Sequence, residues 1–126
     1  MTLTAARKAR DLGMFVAMGA PNFVRGGSHS GNLSARESAE AGVLDILASD
    51  YVPLSMLRSA FMLIDDLGWA PQDAMATVSS APARSLGLSD RGELVAGQRA
   101  DLVRVSRRSL GWPVPVEVWR QGARVA

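Results

Sequence analysis

Two stretches carry the residues whose types and spacing could do chemistry. Asp50 lies in LASDYVP, directly after an apolar run of strand length. In folds built from parallel strands, ligands bind at the carboxyl ends of the strands. A carboxylate there can ligate a divalent metal or take a proton from an attacking water. It can equally be a turn residue, or the cap of the helix that Pro53 opens. The second stretch is Arg25 to Asn32, within APNFVRGGSHSGN. Gly26 and Gly27 leave backbone N–H groups open, Ser28, Ser30 and Asn32 add polar donors, and Arg25 offers a planar cation. A helix starting near Ser34 would add its positive end. This set suits an anion, phosphate above all. It suits as well a long connection whose glycines take left-handed conformations. The spacing is neither that of a P-loop nor that of a dinucleotide fingerprint. His29 could be a metal ligand, a general acid, a phosphate contact or a structural residue.

The tally limits what this chain can do alone. It holds one histidine and no cysteine. A dinuclear metal hydrolase needs several His and carboxylate ligands, so the chain cannot build such a centre unaided.

The elements that must position these residues can be read from patterning. Residues 3–12 have helical spacing closed by Gly13, and Met14–Met18 is an apolar run suited to a buried strand. Residues 19–32 read as loop by composition. Ser34 and Glu37 form a capping box for a helix to about Ala41. Val43–Ala48 is a second buried strand. Leu54–Leu67 is apolar nearly all round and should be a well-buried helix, ended by Gly68. Pro71 opens another helix, which Pro82 interrupts or restarts before Gly87 closes it. After Leu88 come turn pairs and short β-prone runs, with Val114–Val118 and Arg124–Val125 as strands about Gly122. Asp101 reads as a turn or sheet-edge residue. The fold class is therefore α/β with parallel strands over residues 1–88, then a small β unit over 89–126. Met14, Met18, Met56, Met62 and Met75 sit in apolar contexts and read as core filler.

Composition excludes several classes. The 126 residues carry 14 basic and 12 acidic side chains, a net +2, and all the basic ones but Lys8 are arginine. The Arg-rich end from Arg104 reads as a solvated face rather than a nucleic-acid site, and the scattered Trp69, Trp112 and Trp119 form no stacking platform. No apolar run approaches the roughly 20 residues that span a bilayer, and the first residues lack the apolar core of a secretory signal. The expected partners include no nucleic acid and no membrane, and the expected compartment is the cytoplasm.

Three stretches together resemble a known family. GAPNFVRGGSHSGN, LASDYVP and SSAPARSLGLSDRGELVAGQRADLVRV are similar to the C-terminal part of amidohydrolase-superfamily enzymes. The first two point to the branch that acts on ribosyl phosphonate triphosphates in the carbon–phosphorus lyase pathway. The resemblance implies a metal-dependent TIM barrel with a β-sandwich built from both chain ends. On it, this chain is a fragment: the last two β/α units of the barrel and a portion of the sandwich. Met14–Met18 would be the seventh barrel strand and Leu44–Ala48 the eighth. Asp50 would bind metal and handle the proton of the attacking water. Arg25, Gly26, Gly27, Ser28, His29, Ser30 and Asn32 would meet a phosphorylated substrate, and pyrophosphate would be released. The full-length enzyme would use a divalent metal such as zinc or manganese, with none held tightly by this chain alone. The early metal ligands have no counterpart here, and a TIM barrel needs about 250 residues. The chain would therefore be inactive alone, its partner a missing N-terminal segment or a second copy meeting exposed strand edges. Two other readings are an amidohydrolase acting on a non-peptide C–N bond and a non-enzymatic binding or assembly module.

Overall fold

In the computed structural model, the described residues are 1–26, 32–108 and 111–126. Helix α1 (Leu3–Asp11) opens on Thr2, whose hydroxyl accepts from the Ala5 N–H, and it ends with Lys8 and Arg10 in its last turn. Those cations lie at the negative end of the helix dipole. Strand β1 (Ala17–Gly19) runs directly into α2 (Ala20–Arg25), and α3 (Ala35–Glu40) leads to β2 (Ile46–Ala48). The two strands are parallel, with Ala17 opposite Ile46, Met18 opposite Leu47 and Gly19 opposite Ala48. The connection between them is thus a helical crossover, as parallel pairing requires.

Both strands are shorter than the apolar runs predict, for one reason. Helix α1 closes on Gly13 (φ 75°) with Met14 N–H donating to the Ala9 carbonyl, and α3 closes on Gly42 (φ 67°) with Val43 N–H donating to the Ser38 carbonyl. These are six-to-one closures made by a left-handed glycine. They commit the first residue of each run to the preceding helix. The ladder starts later, where the Val16 carbonyl accepts from both Asp45 and Ile46. The Asp45 carboxylate takes the neighbouring position, accepting from the Val16 N–H at 2.8 Å. Met14 is consequently on the surface, 59% exposed, rather than in the core.

The stretch expected as loop from residue 19 holds helix α2. Pro21 sits in its first turn, where a missing N–H costs nothing. Phe23, fully buried, anchors it, contributing about 2–3 kcal/mol through burial. Gly26 ends it at φ 73°.

Helix α4 (Leu54–Leu67) has the predicted bounds and ends on Gly68. It packs on α2 through small residues: Ser59 and Ala60 are fully buried, and the Ser59 hydroxyl donates to the Ala20 carbonyl at 3.1 Å. It is not buried all round, since Leu54 is 75% exposed and Met56, Met62 and Ile64 are half-buried. The main core gathers Phe23, Ala39, Leu44, Leu47, Leu63 and Ala74 from both sides of the sheet crossover. A second, smaller cluster of Ala6, Val16 and Val43 fixes α1. Helices α5 (Pro71–Ala76) and α6 (Ser80–Ser85) come next, and α6 spans Pro82 and closes on Gly87 as α1 and α3 do.

The last part is a three-stranded antiparallel sheet: β3 (Leu102–Ser106), β4 (Val114–Arg120) and β5 (Ala123–Arg124), in that order. A bulge falls between Arg104 and Val105. Gln121 and Gly122, with φ 52° and 80°, make the two-residue turn between β4 and β5. Asp101 precedes β3, and its carboxylate accepts from the Gln121 N–H at 2.9 Å, which ties the turn to the strand entrance. Residues 89–101 form turns rather than strands. A bidentate ion pair joins the small sheet to α4: Arg107 meets Asp65, one of its contacts being 3.0 Å, and lies 5.0 Å from the centre of the Phe61 ring. The Asp65 carboxylate holds the Arg107 guanidinium above its ordinary pKa. The described part of the chain is thus α/β, with one small parallel and one small antiparallel sheet.

Candidate functional site

The carboxyl ends of β1 and β2 lie side by side because the pairing is parallel and in register. The connections leaving the two strands therefore meet at one end. After β1 the chain turns at Gly19 into α2. After β2 it passes Ser49 and turns at Asp50, which takes the left-handed φ of 52°. Aspartate tolerates that region better than most residues do. Over Gly19 the two connections approach each other. A Cβ placed on Gly19 would stand 3.5 Å from Asn22 Nδ2 and 3.9 Å from Asp50 Oδ2. Asp50 is thus exposed at the strand ends and faces the beginning of α2.

Arg25 is the last residue of α2, and its Nη2 donates to the Tyr51 hydroxyl at 2.5 Å. The guanidinium also lies 5.6 Å from the centre of the Tyr51 ring. Tyr51 is the residue after Asp50, so the contact clasps the connection after β1 to the one after β2. Among the described residues, eight arginines pair with carboxylates, and no carboxylate pairs with Arg25. Its phenol partner is neutral, so among the described residues no ion pair offsets its charge.

The remaining candidates separate. Gly26 is the left-handed cap of α2. Gly27, Ser28, His29 and Ser30 lie outside the described residues. Asn32 accepts from the Met1 ammonium at 3.0 Å through its carboxamide oxygen, and no described contact joins it to Arg25 or Asp50. The start of α3 is a complete capping box: the Ser34 hydroxyl accepts from Glu37 N–H at 3.1 Å, and the Glu37 carboxylate from Ser34 N–H at 2.8 Å. The Ser34 N–H, seconded by its hydroxyl, holds Glu37 below the usual carboxylate range. That helix end already carries its own anion, which offsets the pull it would exert on a phosphate.

Sequence reasoning missed Asn22 and Tyr51. Both flank residues it singled out, and the only signal was adjacency: Tyr51 directly follows Asp50, and Asn22 lies within the same polar stretch as Arg25. Two cavities lie elsewhere. One, of ≈ 710 Å³, is a mostly apolar groove between α4, α5 and the small sheet, lined by residues such as Met56, Val78, Leu94 and Trp119. The other, of ≈ 410 Å³, is at the opposite end of the parallel strands, beside Arg10, Asp45 and Trp69. Among the described residues, no group of three or more His, Cys, Asp or Glu side chains could hold a metal ion. The described donors at the Asp50 end therefore do not make up a site for a divalent cation.

A profile of the Amidohydrolase family matches residues 5–126. The chain belongs to the amidohydrolase family. It is 49% identical over 126 residues to the alpha-D-ribose 1-methylphosphonate 5-triphosphate diphosphatase of Escherichia coli (strain K12), a match covering 98% of this chain and 33% of that protein. It is 31% identical over 103 residues to the imidazolonepropionase of Streptomyces griseus, covering 72% of this chain and 26% of the other. The imidazolonepropionase of Paracoccus denitrificans is 38% identical over 68 residues, covering 50% of this chain and 17% of the other. The chain thus spans about a third or less of the length of these curated relatives. Among the described residues, no helix is long and apolar enough to cross a membrane.

Proposed function

We propose that this amidohydrolase-family chain is the C-terminal portion of a phosphoanhydride hydrolase, acting on a ribosyl phosphonate triphosphate and releasing pyrophosphate. The observation that carries the reading is the pairing of chemistries at one end of the parallel sheet. Asp50 presents a carboxylate and Arg25 a guanidinium with no carboxylate partner among the described residues, on the connections that leave β2 and β1. The similarity to the E. coli diphosphatase supplies the substrate class. In this reading β1 and β2 are the last two strands of a TIM barrel, and β3–β5 are part of a sandwich. Residues 1–88 and 89–126 divide accordingly. Water attacks phosphorus, Asp50 takes its proton, and Arg25 with Gly26, Gly27, Ser28, His29, Ser30 and Asn32 faces the phosphates. The described residues do not form a metal centre, so metal ligation by Asp50 belongs to an assembly whose other ligands come from elsewhere. Each strand of the parallel pair has one strand neighbour among the described residues, and on its other side β2 makes a single contact, Leu47 N–H donating to the Thr77 carbonyl at 3.0 Å. The open edges are where a completing segment, or a second copy, would add strands. The proposed setting is cytoplasmic.

The test is complementation. The chain alone should release no pyrophosphate from the ribosyl triphosphate, with or without added zinc or manganese. Co-expression with the N-terminal two-thirds of the E. coli relative should restore turnover. Asp50→Asn in that assembly should lower kcat by about 100-fold or more. Turnover by the purified chain, or an assembly active on cyclic amides and inert to triphosphates, would refute the reading. The latter outcome would favour an amidohydrolase acting on a C–N bond, which draws on the similarity to the imidazolonepropionases.

A further inference from the structure

We infer that Tyr51 is a positioning residue that holds Arg25 as a preformed contact for a polyphosphate. The inference rests on taking the Asp50 end as the site. Three observations point to it. First, the left-handed turn at Asp50 (φ 52°) brings Tyr51 back over the helix that leaves the neighbouring strand. Second, Tyr51 is 63% exposed, so it does little for the core, and its described hydrogen bond goes to Arg25. Third, the partner is a neutral phenol. A carboxylate would hold the guanidinium equally well and would cancel the charge an anion needs. Among the described residues, eight other arginines are held that way, by Asp or Glu. Tyr51 orients Arg25 through one N–H and the ring face, and among the described residues no other hydrogen bond occupies the guanidinium. A planar, pre-oriented fork loses less freedom on meeting phosphate oxygens than a freely rotating one does.

Calorimetric titration of the full 126-residue chain with inorganic tripolyphosphate tests this. Nitrogen-edited NMR of the arginine Nε–H signals runs alongside, and Arg25→Lys identifies the Arg25 signal. The wild-type chain should bind saturably and shift that signal. Tyr51→Phe removes one hydroxyl at an exposed position and should leave the melting temperature unchanged. It should weaken binding about three- to tenfold, as expected for one orienting hydrogen bond. Arg25→Lys should weaken binding further, because an ammonium lacks the fork. Equal affinity for wild type and Tyr51→Phe, no saturable binding, or shifts confined to the arginines from Arg104 onward would each overturn the inference. The outcome is separable from the hydrolase reading. An assembly that hydrolyses triphosphate while Tyr51→Phe binds normally would sink only this inference. A Tyr51-dependent anion contact in a chain whose completed assembly hydrolyses nothing would sink only the other.

Discussion

Asp50 takes φ 52°, a region glycine favours, at the end of the sheet where the two connections meet. Aspartate in this region carries backbone strain that a glycine would not. Asp50→Gly should be neutral or stabilising by about 0.5 kcal/mol, and Asp50→Ala destabilising by about 1 kcal/mol, in urea denaturation of the chain. A stabilised Asp50→Gly chain that fails to complement activity would separate the residue's chemistry from its fold role. Asp50→Ala no less stable than wild type would show the turn to be relaxed. Position 19 is the counterpart on the other strand. Its φ of −71° suits any residue, and a methyl there would make only ordinary contacts with Asn22 and Asp50. Glycine at 19 thus keeps open the space between those two polar groups.

At the scale of elements, the glycine stops decide where strands begin. The left-handed closures at Gly13 and Gly42 draw the next residue back into the helix, and the parallel ladder shrinks to Ala17–Gly19 and Ile46–Ala48. Another glycine does a different job. Gly92, at φ 105°, passes so close to α6 that a Cβ would stand 2.9 Å from Ser80 Cα and 3.1 Å from Ala83 Cβ. The first contact is backbone, which cannot move aside. Gly92→Ala should cost about 2–4 kcal/mol, through both the forbidden φ and the overlap. An unchanged denaturation midpoint would show that this turn does not pack on α6. The ion pair of Arg107 with Asp65 is the matching polar tie between the small sheet and α4.

For the whole molecule, acid should be the weak side. Glu37 is held below the usual carboxylate range by the Ser34 N–H, Asp90 by the Arg91 guanidinium, and Asp101 by the Arg99 guanidinium and the Gln121 N–H. Each folded pKa lies below its unfolded value. The stability these groups contribute is present above the unfolded value and is lost as pH falls through the folded one. The melting temperature should be level between about pH 7 and pH 5 and fall below about pH 4. The fall should be shallower in Asp101→Asn. A level profile down to about pH 3 would remove these contacts from the account. The chain's reach is set by a different quantity. It covers 33% of the diphosphatase it resembles, and its parallel sheet has two strands among the described residues.

The sequence by itself determined what is local. The ends of α4, the capping box at Ser34, the glycine stops and the position of Asp50 just past a strand all depend on spacing over a few residues. Such features rest on propensities and caps, which neighbouring residues settle between themselves. Only the tertiary structure decided that residues 20–25 are helical, because the burial of Phe23 against α4 outweighs a loop-like composition. Only it decided that Arg25 meets Tyr51, 26 residues away, and that Asn22 and Asp50 share the space over Gly19. Those meetings depend on the register of two parallel strands and the packing of the crossover between them. That register is fixed by which apolar side chains reach the core together, and no short window of residues contains it.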